Sequence, residues 1–168
     1  MIKYNEKIKI VTTRNSNFTY SEFLKSEVAL RKGIKNIPNE KQIKNIELLT
    51  ANILQPVRDK FGGILITSGY RSPELCIAIG STVTSNHTRG QASDIEPIDQ
   101  NVQLIDILNW IYENCEFREL IAEHFPNGWV HVAYREGYNN RQLKLKDSYH
   151  NYEKCDIDYI NKLYKNKD

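Results

Sequence analysis

The stretch from Leu120 to Tyr134 constrains the fold most. Two short apolar runs, Leu120–Phe125 and Trp129–Tyr134, flank the turn sequence Pro126-Asn127-Gly128, a pattern that predicts a β-hairpin and hence antiparallel pairing. In the second run Val130 and Val132 alternate with Trp129, His131 and Ala133. Side chains alternate faces along a strand, so if the valines face a core, His131 faces a cleft.

Upstream, residues 7–12 alternate charge with apolar side chains and predict a short edge strand. Residues 18–33 predict a helix with Ser21 as N-cap and Gly33 as its stop. After a turn at 36–39, Asn39 and Gln42 form a capping-box pattern. The helix they open carries Ile46, Leu49, Ile53 and Val57 on one stripe. Pro56 should kink this helix or begin its last turn, and Gly62-Gly63 ends it. Ile64–Thr67 predicts a buried strand, 68–93 a long loop with a helical turn at 73–79, and Ala92–Ile95 another strand. Residues 101–115 predict an amphipathic helix on Val102, Ile105, Leu108, Trp110 and Ile111, and 152–165 a final helix within a polar C-terminal stretch. Helices first and short strands later predict an α+β fold: a small antiparallel sheet with helices packed on one side.

Composition narrows the function. With 168 residues, a single domain over 1–168 is expected. A net charge of +2 gives no case for nucleic-acid binding, and no apolar run is long enough for a membrane span. The opening MIKYNEKIKI has no uninterrupted apolar core, so no export signal is expected and synthesis in the cytoplasm is. Three cysteines, far apart and without a CxxC, argue against a disulfide framework and a cysteine-rich zinc site. A metal would therefore depend on carboxylates and the four histidines. His87 and Asp94 are separated by a loop whose Gly90 permits a sharp bend. With His131 they make two nitrogen donors and one oxygen donor, the make-up of a three-ligand catalytic zinc site with one position open for water. The alternative is that a His-x6-Asp spacing arises by chance and these are ordinary hydrogen-bonded side chains.

The wider pattern is more specific. Ser68-Gly69-Tyr70-Arg71-Ser72, then Ser85-x-His87-x-x-Gly90-x-Ala92-x-Asp94-Ile95, then Trp129-Val130-His131-Val132 resemble, in order and spacing, the zinc D,D-peptidases of the M15 class. That class comprises D-alanyl-D-alanine carboxypeptidases, D,D-dipeptidases and related phage endolysins. Phe18-Thr19, Glu22-Phe23, Ser26, Ala29, Gly33-Ile34, Asn36, Pro38, Gln55–Arg58 and Asn140-Arg141 extend the likeness to about residues 17–145, leaving 146–168 as a polar extension. The resemblance implies a Hedgehog/D,D-peptidase-like fold and one Zn2+ held by His87, Asp94 and His131. It also implies Arg71 as the clamp for a substrate carboxylate.

One departure stands out. Well-known members carry Glu or Asp three residues before the last histidine, where this chain has Gly128. The related subgroup tends to carry a Glu just before the hairpin turn, and a three-residue turn 126–128 places Glu123 opposite His131, Cβ atoms about 5 Å apart. Glu123 is therefore the expected general base. A two-residue Asn127-Gly128 turn would instead set His124 opposite His131 and put Glu123 on the wrong face. Ser85 is expected to orient substrate near the ligand loop. Trp129 is read as core packing, His150 as surface, and Cys76 as a small buried hydrophobe. The expected activity is cleavage of a peptide bond in bacterial peptidoglycan stem peptides, as a carboxypeptidase or an endolysin-type endopeptidase. The protein is expected to be a monomer, phage-encoded, acting on the wall after release. The alternative is a catalytically inactive zinc-binding or structural module of the same fold, such as a virion component, which Gly128 favours.

Overall fold

A computed structural model describes residues 9–11 and 15–164. Strands β1 (Lys9–Val11) and β2 (Asn15–Thr19) pair as a separate antiparallel ribbon. The main sheet has six strands: β3 (Ile64–Ser68), β4 (Ala92–Pro97), β5 (Glu119–Glu123), β6 (Trp129–Ala133), β7 (Gln142–Lys146) and β8 (Asn151–Lys154). Their order is β3-β4-β6-β5-β7-β8, antiparallel except for the parallel pair β5–β7. The architecture is mixed α+β, with an open, mostly antiparallel sheet. No helix among the described residues is long and apolar enough to cross a membrane.

Hydrophobic burial sets the faces of the sheet. Val130, Val132, Leu120, Ala122, Leu145 and Ile95 are all fully buried and lie on one face, against α6 (Leu104–Asn114), whose Ile107, Leu108 and Ile111 are equally buried. Each valine buried contributes about 1.5–3 kcal/mol, so a one-residue slip of β6 would expose both valines and push His131 into the apolar core. The alternation in the sequence thus fixes which way His131 faces.

Several local expectations are corrected. The single helix predicted over 18–33 is two short helices, α1 (Tyr20–Leu24) and α2 (Glu27–Lys32), because Lys25 is extended and Ser26 caps the second. The N-cap of α1 is Thr19, locked to Glu22, and not Ser21. Gly33 does end α2, in the left-handed region. The capping box at Asn39 and Gln42 forms as expected and opens α3 (Glu40–Leu49). The chain then runs through a π-helical turn at 50–54 into α4 (Gln55–Phe61). Pro56 lacks an N–H and its ring crowds the carbonyl a turn earlier; the wider π register just before it accommodates both without breaking the helix. Of the strand predicted at 7–12, residues 9–11 form β1 and the rest lies outside the described residues. The predicted helical turn is α5 (Pro73–Ala78). The polar C-terminal stretch, read as helical from 152, contains β7 and β8 before α7 (Ile157–Tyr164). Leu143 and Leu145 of β7 join the core while Gln142, Lys144 and Lys146 face away from it.

The hairpin register differs from both expected forms. β5 stops at Glu123 and the loop is five residues long, with His124 left-handed (φ 54°) and a cis Phe125-Pro126 bond. Glu123 therefore opposes Trp129, and Ile121 opposes His131. The displacement from the expected three-residue turn is two residues, an even number, so Glu123 still shares a face with His131.

Candidate metal centre

Pairing of β4 with β6 sets Asp94 directly opposite His131. His87 arrives from a 3-10 turn at 86–89, where Ser85 Oγ accepts the backbone N–H of His87 (3.3 Å). Gly90 ends that turn at φ +68° with its Cα pressed against α3; a Cβ would lie 2.5 Å from the Gln42 carbonyl oxygen. Only glycine fits there, and the bend it allows returns the chain into β4 so that His87 and Asp94 face one point. A bulge at the end of β3 sets Ser68 opposite Asp94, which brings the Gly69–Arg71 segment over the same point.

Three donor atoms converge. His87 Nε2 lies 3.3 Å from His131 Nδ1 and 3.3 Å from Asp94 Oδ1, and His131 Nδ1 lies 2.8 Å from Asp94 Oδ1. Bonds of about 2.0–2.1 Å at a tetrahedral angle separate two ligand atoms by about 3.3 Å, so both separations from His87 Nε2 fit one tetrahedral ion, while His131 Nδ1 and Asp94 Oδ1 stand at hydrogen-bond distance. All three residues are buried. The outer partners fit the same use. His87 Nδ1 is 2.7 Å from the Gly69 carbonyl, which can only accept, so Nδ1 carries the proton and Nε2 keeps its lone pair. His131 Nε2 faces Glu119 Oε1 at 3.5 Å and has no closer partner. Asp94 Oδ2 accepts from Arg71 Nη2 at 2.6 Å, leaving Oδ1 to face the histidines.

Electrostatics agree with that division. Burial pushes the His87 pKa down, more than Asp94 can restore, so the ring is neutral. For Asp94, burial pushes the carboxyl up, but His87 and His131 outweigh it and hold it well below the usual carboxylate range. Burial likewise opposes ionisation of Glu119, but His131 and Lys144 outweigh it and hold the carboxyl at about 2. Glu119 also pairs with the Lys144 ammonium and accepts from Asn86 Nδ2 at 3.1 Å. Glu123 differs. It is 8% exposed and in no ion pair among the described residues, and burial pushes its carboxyl above the ordinary value despite the nearby His131.

These residues line one cleft of about 620 Å³, together with Ser85, Arg71 and Trp129. Trp129, read as core packing, instead sits half-buried on the cleft side, its ring 5.6 Å from that of His124. His150, read as surface, is half-buried and bonds Asp147 (2.8 Å) outside the cleft. Cys76 is buried, as expected. Reading the sequence missed Glu119, Lys144, Arg118 and Tyr152, all of which line the cleft. The alternation of Gln142-Leu143-Lys144-Leu145-Lys146 was the available signal for β7. Arg71 sits among the metal-facing groups with Nε on Ser68 Oγ (2.8 Å) and Nη2 on Asp94, so only its remaining donors are left for a substrate. Arg71→Ala is accordingly expected to weaken metal binding by about 10–100-fold, measured by chelator competition, because it releases Asp94.

The glycine at the position of the usual base has a steric cause. Gly128 closes the β5–β6 loop against the backbone of Glu123, and a Cβ there would overlap the Glu123 carbonyl oxygen. No carboxylate can occupy position 128 in this loop. Gly128→Ala is expected to destabilise the fold by about 3 kcal/mol and lower Tm by about 10 °C in thermal unfolding; an unchanged Tm would mean a different loop conformation.

A search of curated proteins finds no match. A protein-family model described as Peptidase M15 matches residues 16–133, more than two thirds of the chain and a span that contains all three converging donors. With its buried His87, Asp94 and His131 placed to hold one metal ion, the chain belongs to the Peptidase M15 family.

Proposed function

We propose that the protein is a zinc-dependent peptidase that cleaves a peptide bond in bacterial peptidoglycan stem peptides. The observation that carries this reading is the convergence of two histidine nitrogens and one carboxylate oxygen at one point, beside a buried carboxylate, Glu123, that forms no ion pair among the described residues. Neutral imidazole and carboxylate donors suit zinc, and three protein ligands leave a position open. A zinc ion held by His87 Nε2, Asp94 Oδ1 and His131 Nδ1 would supply a nucleophilic water at neutral pH and polarise the scissile carbonyl.

The protein's own groups do the rest. The Glu123 carboxylate takes the proton of the attacking water and returns it to the departing amine nitrogen. Its raised pKa helps the first transfer, since a stronger base takes the proton more readily. Glu119, held by Lys144, orients the His131 ring through Nε2, and the Gly69 carbonyl orients His87. Arg71 fixes Asp94 and presents its remaining N–H groups to a peptide carboxylate or carbonyl. Ser85 lies at the cleft wall within reach of a bound peptide.

The test is direct. Zinc-loaded protein is incubated with purified peptidoglycan and with soluble stem peptides, and the products are identified by mass spectrometry. A new amine and carboxylate at one peptide bond is the expected result, and their position separates carboxypeptidase from endopeptidase action. Stoichiometric zinc without cleavage of any preparation would leave a silent zinc-binding module in place of the enzyme.

A further inference from the structure

Beside the metal cleft lies a second depression of about 460 Å³, and Arg89 and Arg118 line both. Four cations line this groove, Lys41, Arg89, Arg118 and Arg135, with amides and Thr88 but no carboxylate. None of the four forms an ion pair among the described residues. In a chain with a net charge of only +2, this is a local concentration of one sign.

The arrangement is built. The guanidinium carbons of Arg118 and Arg135 lie 5.1 and 5.2 Å from the centroid of one ring, Tyr138, so one aromatic side chain holds both cations. Arg118 Nη1 is buried and has no hydrogen-bond partner. The floor is tied down by Gln42 Nε2 donating to the Thr88 carbonyl and Asn45 Nδ2 to the Arg89 carbonyl, both at 2.8 Å. Like charges gathered without a counter-charge repel, and an oxyanion relieves that repulsion while accepting paired N–H bonds.

We infer that Arg118 and Arg135, with Arg89 and Lys41 at the edges, form an oxyanion subsite for a carboxylate or phosphate group carried by the substrate next to the bond held at the metal. The inference rests on the peptidase reading of the cleft for the identity of the substrate, but on the groove alone for its chemistry. Arg89 and Arg118 link the two depressions, so one extended ligand reaches both.

Binding of the protein to purified bacterial cell walls, measured by co-sedimentation, tests it. Arg118→Gln/Arg135→Gln is expected to bind at least about tenfold more weakly than wild type, and Arg135→Lys to keep most of the affinity. Wild-type binding should fall steeply from about 0.05 to about 0.5 M salt, and that of the double variant should fall less. Walls stripped of phosphate-bearing polymers and walls with amidated peptide carboxylates identify the source, since only the preparation lacking the right group loses the difference between wild type and variant. Arg135 is exposed, so Arg135→Gln alone decides the matter if the double variant melts early. Equal binding by wild type and variants, or no binding of wild type to any wall, overturns the subsite. Cleavage that ignores the arginines sinks the subsite and spares the peptidase reading; arginine-dependent binding without cleavage does the reverse.

Discussion

His87→Ala is expected to lower zinc affinity by at least about a hundredfold, with wall cleavage lost in parallel. Zinc held by a few protein ligands is worth about 10–16 kcal/mol in structural sites, so removing one donor costs several kcal/mol. Metal analysis of the purified variant should find well under one zinc per chain, and chelator competition should give the affinity. The same site predicts a pH dependence. In the metal-free protein, burial disfavours a charged His131 ring, but Asp94 and Glu119 outweigh it and raise its pKa from 6.5 to about 9. Below that value zinc must displace a proton from His131. The apparent affinity should therefore climb by about tenfold per pH unit toward pH 9 and level off above it. Zinc content unchanged by His87→Ala would remove His87 from the ligand set, and with it the proposed centre.

Glu123→Gln is the second large effect. It keeps the shape of the side chain and removes the basic oxygen. Cleavage at saturating substrate should fall by about 10²–10⁴-fold with zinc content and Tm unchanged. The comparison that decides the assignment is Glu119→Gln. Both carboxylates share the His131 face of β5, but Glu119 is engaged by Lys144 and His131 while Glu123 has no ion pair among the described residues. Glu119→Gln should instead weaken zinc binding by about 10–100-fold and lose much less rate once zinc is saturating. Burial pushes the Glu123 pKa above its ordinary value of 4.5, with only partial relief from His131. A base must be ionised to act, so the acid limb of the wild-type rate should lie above pH 4.5. If Glu123→Gln keeps wild-type rate while Glu119→Gln loses it, the two roles are exchanged.

Gly128 bears on the role of Glu123. Absence of a carboxylate three residues before His131 counts against catalysis only if the loop could hold one. Here the five-residue loop folds Gly128 onto the Glu123 backbone, so the position is closed to any side chain. Glu123, the cleft carboxylate without an ion pair among the described residues, comes from the neighbouring strand β5.

The amino-acid sequence by itself determined which residues meet at the centre and which face they occupy. Val130 and Val132 must be buried, so His131 must face the other way, and Gly90 permits the bend that sets His87 beside Asp94. Local chemistry also marked the capping box at Asn39 and the amphipathic α6, since caps and periodicity act over a few residues. The apolar run 64–67 does form β3, but as an edge strand with Ile64 and Ile66 buried and Leu65 exposed, not as the buried strand expected. Only the tertiary structure decided the rest, because it depends on contacts between distant segments. The β5–β6 register followed from a left-handed residue in the loop, which turn sequence alone does not reveal, and face parity kept Glu123 in the cleft despite the shift. Lys144 and Tyr152 reach the cleft because β7 pairs with β5 across some twenty residues of chain and β8 follows it. Arg71 is paired with Asp94 because a bulge in β3 carries it there. The basic groove gathers residues 41, 89, 118 and 135, whose charges nearly cancel in the whole-chain sum and become a field only where the fold collects them.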